Sequence, residues 1–313
     1  MTQVENSANI LNTCLGVKQG EQVLVVTDST NLEIGKMLYD AALSLGCEAL
    51  FLQMEERKVA GQEPPAVIAA AMKASDVVVC PTTKSLTHTN ARIEAAKAGA
   101  RIATMPGITE EMFTKGAMTA DYSEVKALTE KVTALLSDAK EARIEKGGYT
   151  LTMSLEGRKA VPSTGVYCEK GESGNLPSGE GYIAPLEDGS NGEILVDGSM
   201  VGIGMCEEPL LFKIKNGKIV NIKGKGSEEL NILMENERNA TLCELGVGTN
   251  KSAILCGVIL EDEKVYGTVH VAFGTNSSFG GVNKADCHMD GIVLEPDLYL
   301  DGKLILQGGK FTF

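Results

Sequence analysis

What most constrains the fold of this chain is a change of hydrophobic periodicity near its middle. Val23-Leu24-Val25-Val26-Thr27 is a short, mostly β-branched run that gives way to Asp28-Ser29-Thr30 and then to a helical pattern over about 32–45. The cycle recurs, with a strand predicted at 49–52 and a helix at 65–75, a strand at 76–80 and a helix at 88–98, and a strand at 101–104 before Pro106-Gly107. Strands separated by single helices predict right-handed crossovers and a doubly wound parallel sheet. A charge-rich amphipathic helix over about 122–146 closes this half, and Gly147-Gly148 is the natural boundary. From Tyr149 onward the helical signal gives way to short strands, with one helix expected over 227–236. Asn216-Gly217 and Asp301-Gly302, each flanked by alternating apolar runs, predict two hairpins. The expected fold class is α/β plus α+β. A doubly wound domain over 1–147 joins a C-terminal antiparallel β-rich metal-binding domain over 148–313, with the active cleft between them.

Charge narrows the functions open to such a chain. Forty-two Asp and Glu against 29 Lys and Arg give a net charge of -13. That charge repels phosphate backbones and anionic bilayers, so neither nucleic acid nor membrane is expected as a partner. No run approaches the roughly 18 apolar residues of a membrane span. Residues 1–12 are polar and show no leader pattern, which points to the cytoplasm. Cysteines at 14, 47, 80, 168, 206, 243, 256 and 287 lack any paired spacing and are expected as reduced, buried thiols. Aromatic residues make up only 4% of the chain and tryptophan is absent, leaving little with which to stack on bases. After the first strand come Asp-Ser-Thr-Asn rather than the glycines of a dinucleotide fingerprint, and Gly202-Ile203-Gly204 predicts a turn or bulge. No nucleotide cofactor is expected.

Residues able to carry chemistry gather in the last third. His288 and Asp290 are two apart, which on a strand means one face, and His270 ends the β-branched run 265–269. Two histidines and a carboxylate are the minimal set for a metal ion, and these are two of only three histidines in the chain. Glu180 ends a Pro/Gly turn, and Glu244 lies inside the apolar stretch 241–248. A carboxylate in such a stretch is costly unless it is paired, as with Arg238 or a lysine, bound to a cation, or on an exposed strand face.

Together these segments resemble the signatures of a known family. Asn175-Leu-Pro-Ser-Gly-Glu-Gly-Tyr-Ile-Ala-Pro185, Glu244-Leu-Gly-Val-Gly-Thr-Asn250, His270-Val-Ala-Phe-Gly274 and Cys287-His-Met-Asp290 are similar, in order, to those of the aminopeptidase T family, the thermophilic leucyl aminopeptidase-like metallopeptidases. The resemblance implies a homodimer, or a higher homo-oligomer, acting on a small molecule or short peptide. It also implies a pair of divalent ions (Zn, Mn or Co) held by Glu180, Glu244, His270, His288 and Asp290. Two such ions would activate a water against an amide bond. The family carries a tyrosine seven residues after the first of these histidines, where this chain has Ser277, and nearby Phe279 supplies no hydroxyl.

In the first half, Lys84-Ser-Leu-Thr-His-Thr-Asn-Ala-Arg92, Gly99-Ala-Arg101 and Met105-Pro-Gly107 resemble a branch of the same superfamily, the dihydroxypyridine ring-cleaving dioxygenases, which bind one Fe(II). In that branch a first-domain histidine acts as an acid or base. His88 matches it, with Arg92 one turn on, while the bland role of His88 is a helix-start residue near Thr87. A dioxygenase needs His270, His288 and Asp290 as a facial set with open positions, whereas a hydrolase also needs Glu180 and Glu244. Retention of both glutamates favours a divalent-metal hydrolase of peptide or amide bonds, with His88 and Arg92 contacting substrate. The alternatives are a ring-cleaving Fe(II) dioxygenase and a non-catalytic small-molecule-binding relative.

Overall fold

The protein is described by a computed structural model over residues 3–313. It divides into two compact units, Met1–Lys126 with Gly165–Ser178, and Ala127–Thr164 with Gly179–Phe313.

The first unit is an α/β layer. It runs α1 (Gln3–Leu15), β1 (Gln22–Asp28), α2 (Leu32–Ser44), β2 (Glu48–Met54), α3 (Ala66–Ala74), β3 (Val77–Thr82), α4 (Asn90–Ala98) and β4 (Arg101–Pro106). The strands are parallel in the order β2, β1, β3, β4, and a short strand, Ser173–Asn175, returns to the edge beside β4. Leu24 and Val26 pack with Ile68 and Met72 of α3 and Ala91 and Ala95 of α4. Val23 and Val25 are equally buried on the opposite face, so the sheet is covered on both sides. Gln3–Leu15, polar in its first turns, carries an amphipathic pattern: α1 buries Ile10, Leu11, Cys14 and Leu15.

The second unit is built from two antiparallel sheets. Eight strands form one, and seven form the other, in which Ser199–Met200, His288–Val293, Val269–Gly274, Leu242–Gly248 and Glu180–Ile183 lie side by side. Leu245, Val247, Val271, Phe273 and Val293 of the seven-stranded sheet share one core with Ile144, Leu151, Ile194, Phe212 and Leu298 of the eight-stranded sheet. Phe212 and Phe273 stack at 5.0 Å. Both predicted hairpins form, with Asn216 and Gly217 at φ 48° and 70° and Asp301 and Gly302 at φ 47° and 78°, the left-handed pair such tight turns require.

Several boundaries differ from the sequence expectation. The helix expected over 122–146 ends at Asp138, and Glu141–Lys146 is a strand. Ala142 and Ile144 point into the core while Glu141, Arg143 and Glu145, which alternate with them, point out, so the segment has strand alternation. Asp301 settles the choice: its carboxylate accepts from the backbone N–H of Lys140 and of Glu141, which stops the helix and docks the strand beside Asp297–Leu300. Gly147-Gly148 is consequently the turn of a hairpin with Tyr149–Ser154, and the division expected after residue 147 falls inside the second unit. The helix expected over 88–98 begins at Asn90, and the one expected over 227–236 is a 3-10 helix, Ser227–Met234. No cysteine is in a disulfide, but only Cys14, Cys47, Cys80 and Cys243 are buried, and Cys256 is exposed. Among the described residues no helix is long and apolar enough to cross a membrane.

Candidate metal centre

The seven-stranded sheet turns one face to its core and gathers the candidate ligands on the other. Register pairs Glu180 with Gly248, Gly246 with His270, Ala272 with Asp290, and Gly274 with His288. Strand alternation therefore aligns Glu180, Glu244, His270, His288 and Asp290 on a single face. Glu244 arrives there through a β-bulge: Leu242 lies opposite Phe273 and Glu244 opposite the next residue, Ala272, so Cys243 is the extra residue. Without it, Leu242 and Glu244 would share a face. Gly246 makes room for the ring of His270, which a Cβ at that position would overlap.

All five residues that the sequence singled out as ligands are thus neighbours in the second unit. His270 Nε2 is 3.4 Å from Glu180 Oε2 and 3.4 Å from Glu244 Oε1, and His288 Nε2 is 3.3 Å from Glu244 Oε2 and 3.5 Å from Asp290 Oδ1. These separations exceed the ordinary hydrogen-bond range, and match the roughly 3.4 Å edge between donors held about 2.1 Å from a tetrahedral metal ion. Donor atoms of Glu244, His270 and Asp290 all lie within 4.8 Å of one another, and so do those of Glu180, Glu263 and His270. The Nδ1–H of His288 donates to the carbonyl of Thr275 at 2.8 Å, which fixes Nε2 as the nitrogen turned to the cluster. Among the described residues the buried Oε2 of Glu180 makes no hydrogen bond. At these separations the hard and borderline donor set of Glu244, His270, His288 and Asp290 fits a divalent cation.

The charges explain how the group stays buried. Burial by itself would lower His270, but the close carboxylate of Glu244 and the charges of Glu180 and Glu263 raise it to about 9. Burial would raise Glu244, but both histidines hold it down to about 2. Without metal, protonated imidazoles thus supply the positive charge that the carboxylates require.

Sequence reasoning missed Glu263 and Lys264. Lys264 is wholly buried, and its Nζ donates to Glu180 Oε1 at 2.6 Å and also to Glu263. The run Glu261-Asp262-Glu263-Lys264 reads in the sequence as a solvated charged turn, and only the burial of the lysine shows that it needs carboxylate partners. The lysine pairing considered for Glu244 belongs instead to Glu180.

Aromatic rings border the cluster. Phe279 packs edge-on against His288 at 6.0 Å and against Tyr182 at 5.4 Å. Its loop is held by Glu187, whose Oε1 accepts from Asn276 Nδ2 and from the backbone N–H of Val282. Ser277, in place of the tyrosine of the resembled peptidases, is exposed in that loop.

His88 and Arg92 belong to the first unit. His88 is exposed, in the connection that leaves the carboxyl end of β3, and Thr89 rather than Thr87 caps α4, accepting from the N–H of Arg92. The guanidinium of Arg92 donates to Thr87 O at 2.7 Å and to Ser173 Oγ at 3.1 Å, so it braces its own loop.

A family model described as NicX, 2,5-dihydroxypyridine 5,6-dioxygenase, matches residues 4–313. The chain belongs to this family. The 2,5-dihydroxypyridine 5,6-dioxygenase of Pseudomonas putida KT2440 is 26% identical over 258 residues, 76% of this chain and 71% of the relative. A solved structure of 2,5-dihydroxypyridine dioxygenase from the same organism superposes with TM-score 0.82 at 20% identity, covering 99% of this chain and 96% of that one. Wild-type AmpT from Thermus thermophilus superposes with TM-score 0.72 at 17% identity, covering 99% of each. The fold is therefore common to the dioxygenase and to the aminopeptidase T the sequence resembles. Membership of a dioxygenase family makes the chain an enzyme relative, and it favours the ring-cleaving alternative over the hydrolase expected from the two glutamates.

Proposed function

We propose that this protein is a mononuclear Fe(II) dioxygenase that opens a dihydroxylated pyridine or a closely related hydroxylated N-heterocycle, both atoms of O2 entering the product. The family match across residues 4–313 carries this reading. His270, His288 and Asp290 would hold the ion, with Glu244 beside both imidazoles. A ferrous ion there would supply the one-electron chemistry that lets O2 react with a closed-shell ring.

The chain's own residues do the rest. Thr275 fixes the tautomer and the orientation of His288 through its carbonyl. Phe279, half-buried and edge-on to His288, offers a flat apolar surface to a heteroaromatic ring. His88 is part of the same proposal, as the acid or base that handles the proton of a ring hydroxyl; Arg92 would act with it through the loop that it braces.

The test is O2 uptake by protein loaded anaerobically with Fe(II) and given 2,5-dihydroxypyridine. One O2 consumed per ring lost supports the reading. Release of amine from amino-acid amides in the presence of Mn(II) or Co(II), without O2 uptake, overturns it in favour of the hydrolase.

A further inference from the structure

We propose that the Lys264 ammonium is a built-in cation standing in for a second metal ion, so that this chain holds one ion on a scaffold whose carboxylates could serve two. The proposal rests on the metal-centre reading above and says which of its residues sets the count.

Two donor groups share the site face: Glu244, His270 and Asp290, and Glu180, Glu263 and His270. In the second group a cation is already present. Lys264 Nζ donates to Glu180 Oε1 at 2.6 Å and to Glu263, with its side chain 1% exposed. It is placed by the backbone rather than by chance. The one-turn helix Ile259–Asp262 delivers it, its N–H donates to Glu261 O at 2.9 Å, and its carbonyl accepts from Asn250 N–H at 2.9 Å. Asp262 anchors the same turn, accepting from the N–H groups of Cys256 and Gly257 and from Ser199 Oγ.

Charge makes the substitution exclusive. Glu180, Glu244, Glu263 and Asp290 bring four carboxyl groups, and the Lys264 ammonium is paired with two of them, Glu180 and Glu263. A divalent ion between those two carboxylates would share them with an ammonium already in hydrogen-bond reach, and like charges in a buried site repel strongly. The Glu244, His270 and Asp290 group has no such competitor among the described residues. Two-metal hydrolysis needs paired ions to activate water and hold both oxygens. Retained glutamates are thus compatible with a one-metal enzyme, because one of them serves the lysine.

Metal content at saturation tests this. Wild type and Lys264→Met are equilibrated with excess MnCl2, freed of unbound ion and analysed for manganese per chain, with circular dichroism to check folding. The expected result is about one ion in the wild type and about two in Lys264→Met, the charge-retaining Lys264→Arg staying at about one. Two ions in the wild type, or one in folded Lys264→Met, overturns the proposal. If Lys264→Met does not fold, the wild-type count decides: one upholds it and two overturns it. Failure of the dioxygenase reading shows elsewhere, as absence of O2 uptake by the iron-loaded wild type whatever the metal count.

Discussion

The two faces of the seven-stranded sheet use the same strands for opposite ends. On one face, Leu245, Val247, Val271, Phe273 and Val293 fill a shared core with the other sheet. On the other, Gly246, Gly248, Ala272 and Gly274 alternate with Glu180, Glu244, His270, His288 and Asp290 through the strand register. The first face gains stability by excluding water from large side chains. The second gives that up: its small residues leave room, and its charged residues are stable only because each has an opposite charge or a cation close by. Stability and chemistry are thereby separated by a single residue step along each strand.

Breaking the site face should have the largest effect on function. Asp290→Ala or His288→Ala should abolish metal retention and lower turnover by at least about 100-fold, leaving the parallel sheet of the first unit folded. Metal analysis together with circular dichroism checks this, and turnover by either variant in metal-free buffer would break the comparison. The core face should respond in the reverse sense. Phe273→Ala, which empties the stack on Phe212, should cost about 3–5 kcal/mol in urea unfolding while metal per folded chain stays the same. Gly246→Val, by contrast, intrudes on the His270 ring and should weaken metal binding about 10–100-fold, measured by competition with a chelator.

Smaller effects sharpen the picture at its edge. Phe279→Ala should raise KM for the heterocycle several-fold, about 1 kcal/mol of lost ring contact, at unchanged metal content. The smallest is expected at Cys243. Its Sγ lies 3.6 Å from His288 Nδ1, yet burial pushes the thiol up to about 11, so it is neutral at ordinary pH and no ligand. Cys243→Ala should leave metal stoichiometry unchanged and shift stability by less than about 1 kcal/mol. A lost ion there would make the bulged residue part of the centre.

Much of the site was legible in the chain because its residues are rare and regularly spaced. The pair His288 and Asp290 declares a common strand face by its two-residue interval, and the glutamates stand out against apolar neighbours. Lys264 was not legible, since a lysine among acidic residues reads as a solvated surface until burial is known. Nor was the strand at Glu141–Lys146, where charge suggests an exposed helix and only the docking of the Asp301 turn reveals the alternation as a strand.

By itself the sequence determined the alternation of parallel strands and helices, the two left-handed hairpin turns, and the identity of the five residues that converge. Each follows from local chemistry: periodicity, the backbone freedom of Asn-Gly and Asp-Gly, and the donor atoms of histidine and carboxylate. Tertiary structure alone decided that a bulge at Cys243 turns Glu244 onto the site face, that residues 165–178 return to the first unit, and that Lys264 claims Glu180. Those outcomes depend on which distant segments meet, and the energy of a buried charge is set by neighbours that only the folded chain brings within a few ångströms.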